Sequence, residues 1–123
     1  MCRSVILWVL LCTSVAAHEM TPTYPKWSVT QLEGVQKTTM SMFNKREDVQ
    51  YYEIGVFDKE WNPIPFVTDY KILKLDYLSH VKFDVYIGSK NVDRAEYICS
   101  LSKLRGSKET KTMIASKICS RFK

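Results

Sequence analysis

The 123-residue sequence is poor in the residues that most enzyme sites require. It has two histidines, His18 and His80, and four isolated glycines. Hydrolysis needs a nucleophile, a base and an orienting group converging on one pocket, and two scattered histidines offer little toward that. Ser79-His80 is a neighbour pair with no motif around it and reads as a turn exposed to water. Glycines that never cluster exclude a phosphate-cradling loop. No basic cluster alternates with aromatic residues, which argues against a nucleic-acid groove. There is no Asn-x-Ser/Thr sequon, no internal repeat and no low-complexity stretch. Glu47-Asp48 lies among basic neighbours and reads as turn capping. Nothing in the composition calls for a cofactor, and the reading is non-enzymatic.

A long apolar run is also missing everywhere except at the start. Met1-Cys2-Arg3 is followed by apolar Val5 to Leu11 and then by Thr13-Ser14-Val15-Ala16-Ala17. A short basic head, a short apolar core and a small-residue end are the marks of a secretory signal peptide. The run falls well short of the roughly 20 residues that a membrane-spanning helix needs. Residues 1–17 are therefore expected to be cleaved after Ala17, leaving 18–123 as one periplasmic or secreted domain without stable membrane insertion. Only Arg3 of the 18 basic residues and none of the 13 acidic ones lie in the signal, so residues 18–123 carry a mild surplus of four positive charges. Their lysines are scattered singly among acids, as on solvated strand faces.

Cysteine is scarce too, and the signal halves the supply. Cys2 and Cys12 leave with it, so Cys99 and Cys119 remain. Two cysteines in an exported chain most simply form one disulfide. Such a bridge stabilises by about 3 kcal/mol through the loop it closes in the unfolded chain.

Nearly every segment after residue 30 alternates with period two or is rich in β-branched and aromatic residues. Val35–Phe43 aligns Thr38, Met40 and Met42, and Val49–Phe57 aligns Tyr52, Ile54 and Val56. Lys71–Tyr77 aligns Leu73, Leu75 and Tyr77. Val81–Ile87 sets Val81, Phe83, Val85 and Ile87 against His80, Lys82, Asp84 and Tyr86. Glu96–Leu101 and Thr112–Phe122 complete the set, the last with Ile114, Ile118 and Phe122. Asn44–Asp48 is a polar turn, and Asp58–Pro65 is barred from a central strand by Pro63 and Pro65. Gly88–Asn91 and Arg105–Lys108 look like the loops of two hairpins. Thr21–Trp27, with Pro22 and Pro25, reads as an extended edge piece. Six or seven short strands with turns every 8–12 residues indicate an all-β antiparallel sandwich.

Two stretches carry a resemblance. Asp93-Arg94-Ala95-Glu96-Tyr97-Ile98-Cys99 resembles the strand F signature of immunoglobulin-like domains. That resemblance implies that Tyr97 ties a corner of the sandwich and that Cys99 faces the core, with Asp93 and Tyr97 as structural residues. No second cysteine lies near Met40 and no tryptophan near Tyr52, so Cys119 is the only partner for Cys99. Thr38 to Leu104 resembles the N-terminal immunoglobulin-like domain of periplasmic pilus chaperones. The order is a strand ending Phe43-Asn44, the strand Tyr51–Asp58, a Trp-Asn-Pro-Ile-Pro turn, then strands at Tyr70–Leu75, Phe83–Ile87 and Tyr97. The whole chain, with its His18-Glu19-Met20-Thr21-Pro22-Thr23-Tyr24-Pro25 start, is similar to small exported proteins of marine phages. Pilus chaperones grip a subunit's C-terminal carboxylate in the cleft before a second domain. The chain ends at Lys123, so that cleft is not expected here.

The chaperone resemblance places Lys117 and Arg121 on the last strand, where a chaperone offers its edge, and makes them the candidate protein-binding residues. An alternating strand at a sheet edge can add a partner's strand through backbone hydrogen bonds. Lys117, Arg121 and Lys123 can equally act as gatekeepers that prevent such pairing. A different class of function starts from His18. After cleavage its α-amino group and imidazole would form a bidentate chelate for copper, with His80 as a further nitrogen ligand and Glu19 or Met20 adjacent. The leading expectation is an extracytoplasmic binding or accessory module with a protein partner, with copper binding as the alternative.

Overall fold

Alternation this regular folds as strands whose apolar faces must be covered, and two sheets cover each other. A computed structural model describes residues 18–103 and 116–122; the signal segment, the Arg105–Lys108 loop and the first residues of the Thr112–Phe122 segment lie outside them. Among the described residues the strands are β1 (Glu19–Thr21), β2 (Ser28–Val29), β3 (Val35–Phe43), β4 (Tyr51–Phe57), β5 (Val67–Thr68), β6 (Ile72–Lys74), β7 (His80–Gly88), β8 (Tyr97–Lys103) and β9 (Lys117–Arg121). The first sheet runs β1-β3-β7-β5, with β2 also on β3, and the second runs β6-β4-β8-β9. Every pairing is antiparallel. The described residues are all-β, as expected, with nine strands among them in place of about seven because β1, β2 and β5 are two- or three-residue pieces.

The two longest ladders set the register. β3 pairs with β7 from Val35↔Gly88 to Phe43↔His80, and β4 pairs with β8 from Tyr51↔Lys103 to Phe57↔Tyr97. Met40, Met42, Phe83, Val85 and Ile87 from one sheet meet Tyr52, Ile54, Val56 and Ile98 from the other in a single buried cluster. Removing those faces from water is what holds the sheets together.

Three expectations change. Tyr77 does not join Leu73 and Leu75 in the core; it is exposed. β6 stops at Lys74, and the chain then bends so that Leu78 N–H donates to Asn44 O and Ser79 N–H to Asp76 O. Gly88–Asn91 is not a hairpin loop. Ser89–Asn91 forms a 3-10 turn that carries the chain from β7 in one sheet to β8 in the other. Finally, Cys99 is buried, at 2% exposed, but it does not lie between the two sheets. Ile98, Ser100 and Ser102 lie opposite Val56, Ile54 and Tyr52 and fill that face, so Cys99 shares the outer face of the sheet with Tyr97, one pleat position from where the signature implies for the cysteine.

Candidate functional site at the edge of the second sheet

Among the described residues β9 lies at the edge of the second sheet, with β8 as its one strand partner. In an antiparallel pair, alternate residues turn both backbone groups toward the neighbour and the rest turn them away. Ser102 N–H donates to Ser116 O, and Phe122 N–H donates to Glu96 O. That parity points Ile118 and Ser120 at β8, and points Lys117, Cys119 and Arg121 away from it. Arg121 N–H meets Thr23 O at 3.1 Å, so the extended piece after β1 borders one end of this edge. Trp27 stacks on Phe122 at the same end, with centroids 4.5 Å apart. Among the described residues, neither Lys117 nor Cys119 has a backbone partner on its outward side.

The side chains beside this edge are organised by a tight turn. Asp58 Oδ1 accepts the amides of Glu60 and Asn62, and Asn62 Nδ2 donates to Asp58 Oδ2. These bonds hold the Asp58 carboxyl below its usual range, the amide of Asn62 contributing most. The turn places Trp61 in the left-handed region, φ 66, where a bulky residue is uncommon. Its indole folds back onto the outer face of the second sheet and stacks on Tyr97, centroids 4.2 Å apart and nearly parallel. Lys117 Nζ sits 4.3 Å from the Trp61 ring centre and 5.2 Å from that of Phe57. Phe57 in turn covers Gly55, whose position leaves no room for a Cβ: one would stand 2.8 Å from the ring. Gly55, Cys99 and Cys119 lie side by side across β4, β8 and β9, so the Cys99–Cys119 disulfide joins the edge strand to its neighbour on the same face as Phe57 and Tyr97. Glu53, Gly55, Phe57, Leu101 and Lys117 line a concavity of about 200 Å³ there.

A buried polar network lies behind the start of β9. His18 is 2% exposed; its Nε2 shares a 2.6 Å hydrogen bond with Ser100 Oγ and its Nδ1 a 3.3 Å one with Ser116 Oγ. Arg46 donates to the same Ser116 oxygen at 3.4 Å and pairs with Asp48. Tyr52 lies against the His18 ring and donates to Asn44 Oδ1 at 2.6 Å. Burial holds His18 below its ordinary pKa; the contact with Ser100 opposes that shift and the Arg46 charge adds to it. Burial pushes the Tyr52 hydroxyl up to about 12. The Arg46 guanidinium keeps Asp48 below the usual carboxylate range. A Ser–His contact as short as this would suggest a nucleophile and its base. Ser100 is fully buried, however, and the second ring nitrogen meets a serine rather than a carboxylate. No substrate atom can reach that oxygen, and the network ties β1, β8 and β9 together.

The structure separates the two histidines of the copper reading. His18 points between the sheets with both ring nitrogens engaged, whereas His80 is exposed on the outer face of β7 opposite Phe43. They lie on opposite faces of the first sheet, and among the described residues no group of three or more His, Cys, Asp or Glu side chains gathers to hold a metal. Asp93 is exposed before β8. Lys117 and Arg121 share one face of β9, and Arg121 Nε donates to Glu96 Oε1 at 2.7 Å. Sequence reasoning missed Trp61, read only as part of a proline turn, and Asn44 and Arg46, read only as turn residues. Asp58-x-x-x-Asn62 ahead of Pro63 was the available signal for a tight Asx-type turn.

No protein-family model matches the chain, and no curated protein is similar to it in sequence. Among solved structures, the E. coli chaperone DraB is similar with a TM-score of 0.63 and 11% identity, over 86% of this chain and 53% of that one. The periplasmic chaperone SfaE is similar with a TM-score of 0.53 and 12% identity, over 86% of this chain and 56% of that one. The chain spans about half the length of each, and at these identities the likeness is one of fold. The protein thus has an immunoglobulin-like sandwich of the kind found in those two chaperones.

Proposed function

We propose that this protein is an exported, non-enzymatic binding module that takes a segment of a partner protein as an added strand along β9. The observation that carries the reading is the outward-facing backbone of Lys117 and Cys119, which offers hydrogen-bonding groups with no partner among the described residues. Strand addition satisfies such groups and draws its affinity from the main chain. The likeness to two chaperones supports a protein partner, and a disulfide suits an oxidising compartment. No helix among the described residues is long and apolar enough to cross a membrane. Residues 1–17 are the export signal in this reading, and cleavage after Ala17 leaves His18 first. N-terminal sequencing of the exported protein is expected to begin at His18; a start upstream removes the cleavage site from the account. A photo-crosslinking residue at position 117 is expected to trap a protein partner in producing cells, while one at Thr39, on the outer face of the first sheet, traps none. Equal yields at both positions would contradict edge pairing.

A further inference from the structure

The buried network behind β9 joins a titratable ring to the residue that leads into the last strand. We propose that His18 is a proton-operated latch: when its ring takes up a proton, Ser116 and Lys117 come away from β8 while the rest of the sandwich stays folded. The inference stands without the edge-pairing reading; under that reading the same step loosens the strand that carries the partner.

Few bonds hold the start of β9, and they meet at one serine. Ser116 N–H donates to Ser102 Oγ at 2.7 Å, and Ser102 N–H donates to Ser116 O. Ser116 Oγ is shared by His18 Nδ1 and Arg46 Nη1. Further along, the strand is fastened by other means. Cys119 is bonded to Cys99, Arg121 pairs with Glu96, and Phe122 stacks on Trp27. Opening that begins at Ser116 therefore stops at the disulfide.

A charge on the ring has no counterpart in the closed form. His18 is 2% exposed, and a buried charge without a partner must reach water. The charged and titratable groups that face it are Arg46 and Asp48 from the turn after β3 and Tyr52 from β4. Arg46 touches the same Ser116 oxygen as the ring, so its charge opposes an imidazolium there. Asp48 gives both of its oxygens to Arg46. Tyr52 donates its hydroxyl to Asn44 and stays neutral, its pKa pushed up to about 12. The inward faces of β3 and β8 are Thr38, Met40, Met42, Ile98, Ser100 and Ser102, and none of these titrates. On its own strand, Glu19 is exposed and pairs with Lys45. Ser100, Tyr52 and Asn44 have no exposed surface, whereas Ser116 is half-buried. The way out for the ring passes Ser116.

Amide hydrogen exchange of the purified protein at pH 7.5, 6 and 5, corrected for intrinsic rates, measures the opening at each site. The amides of Ser102 and Ser116 report the latch, that of Phe122 the segment beyond the disulfide, and that of Val85 the core. An opened molecule protonates His18 with the ordinary pKa of about 6.5, so opening at Ser102 and Ser116 is expected to rise by up to about thirtyfold from pH 7.5 to pH 5. At pH 5 it is expected to exceed opening at Phe122 and Val85 at least about tenfold and to respond little to low urea, as local opening does. The rise is expected to vanish in His18→Gln and to persist in His80→Gln, which keeps His18 as the one histidine. Opening at Ser102 and Ser116 that matches the core at pH 5 would overturn the latch. So would a rise that survives His18→Gln, or one that is lost in His80→Gln.

Discussion

Asn44 shows how much one side chain can hold. It has no exposed surface. Its Nδ2 donates to Val49 O and Leu75 O, and its Oδ1 accepts from Tyr52 Oη and from the Arg46 amide. Asn44→Ala strands all of these groups in the interior and is expected to destabilise the fold by about 3 kcal/mol in urea denaturation. Tyr52→Phe removes one donor and leaves the ring packed; about 1 kcal/mol is expected. His18 works differently. Its pKa is lowered in the folded protein, so the unfolded chain takes up the proton first. The stability contributed by the neutral ring is complete above about pH 6.5 and falls as the pH drops below that value. The Tm is therefore expected to decline between pH 7 and pH 5, and His18→Gln is expected to flatten that decline while lowering the Tm at pH 7.5. Asp48 and Asp58, both held low, add a further loss below about pH 4.

Among the elements, those with regular alternation were legible in the sequence and those set by loops were not. β3 has the bounds that its pattern implies, and β7 extends the expected Val81–Ile87 by one residue at each end. Their inward residues, Met40, Met42, Phe83 and Val85, needed only period two to be found. β6 was overextended because Leu75 is buried after the strand has ended, its amide bonded to Gln50 O in a bend. On β8 the Asp-x-Ala-x-Tyr-x-Cys signature pointed inward, but the register with β4 puts Ile98 and Ser100 inside. A motif alone does not carry that parity, since a shift of one residue exchanges the two faces. The disulfide was legible from counting; the Trp61–Tyr97 stack on the same face was not, because Trp61 arrives from a turn distant in sequence. Trp61→Ala removes the ring stacked on Tyr97 and beneath Lys117 and is expected to lower stability by about 1 kcal/mol in urea denaturation. Cys99→Ala/Cys119→Ala is expected to cost about 3 kcal/mol.

For the molecule as a whole, the functional question is which sheet edges are open. On the first sheet, β5 is two residues long, and its Thr68 Oγ1 donates to Asp84 O, so it offers little template for another strand. On the second, β6 is three residues long. β9 is longer, cross-linked to its neighbour and, among the described residues, bordered on its outward side where Thr23 meets Arg121. That the last segment is a strand was legible from its alternation, and the chaperone resemblance put Lys117 and Arg121 on it; the outward backbone of Lys117 and the placing of its amine over Trp61 required the register. Backbone amide hydrogen exchange tests the claim most directly. In the free protein, Ile118 and Ser120 are expected to be protected and Lys117 and Cys119 to exchange fast; all four are expected to be protected once the partner is bound. Protection of Lys117 and Cys119 in the free protein, or their continued fast exchange in the complex, would contradict strand addition at β9.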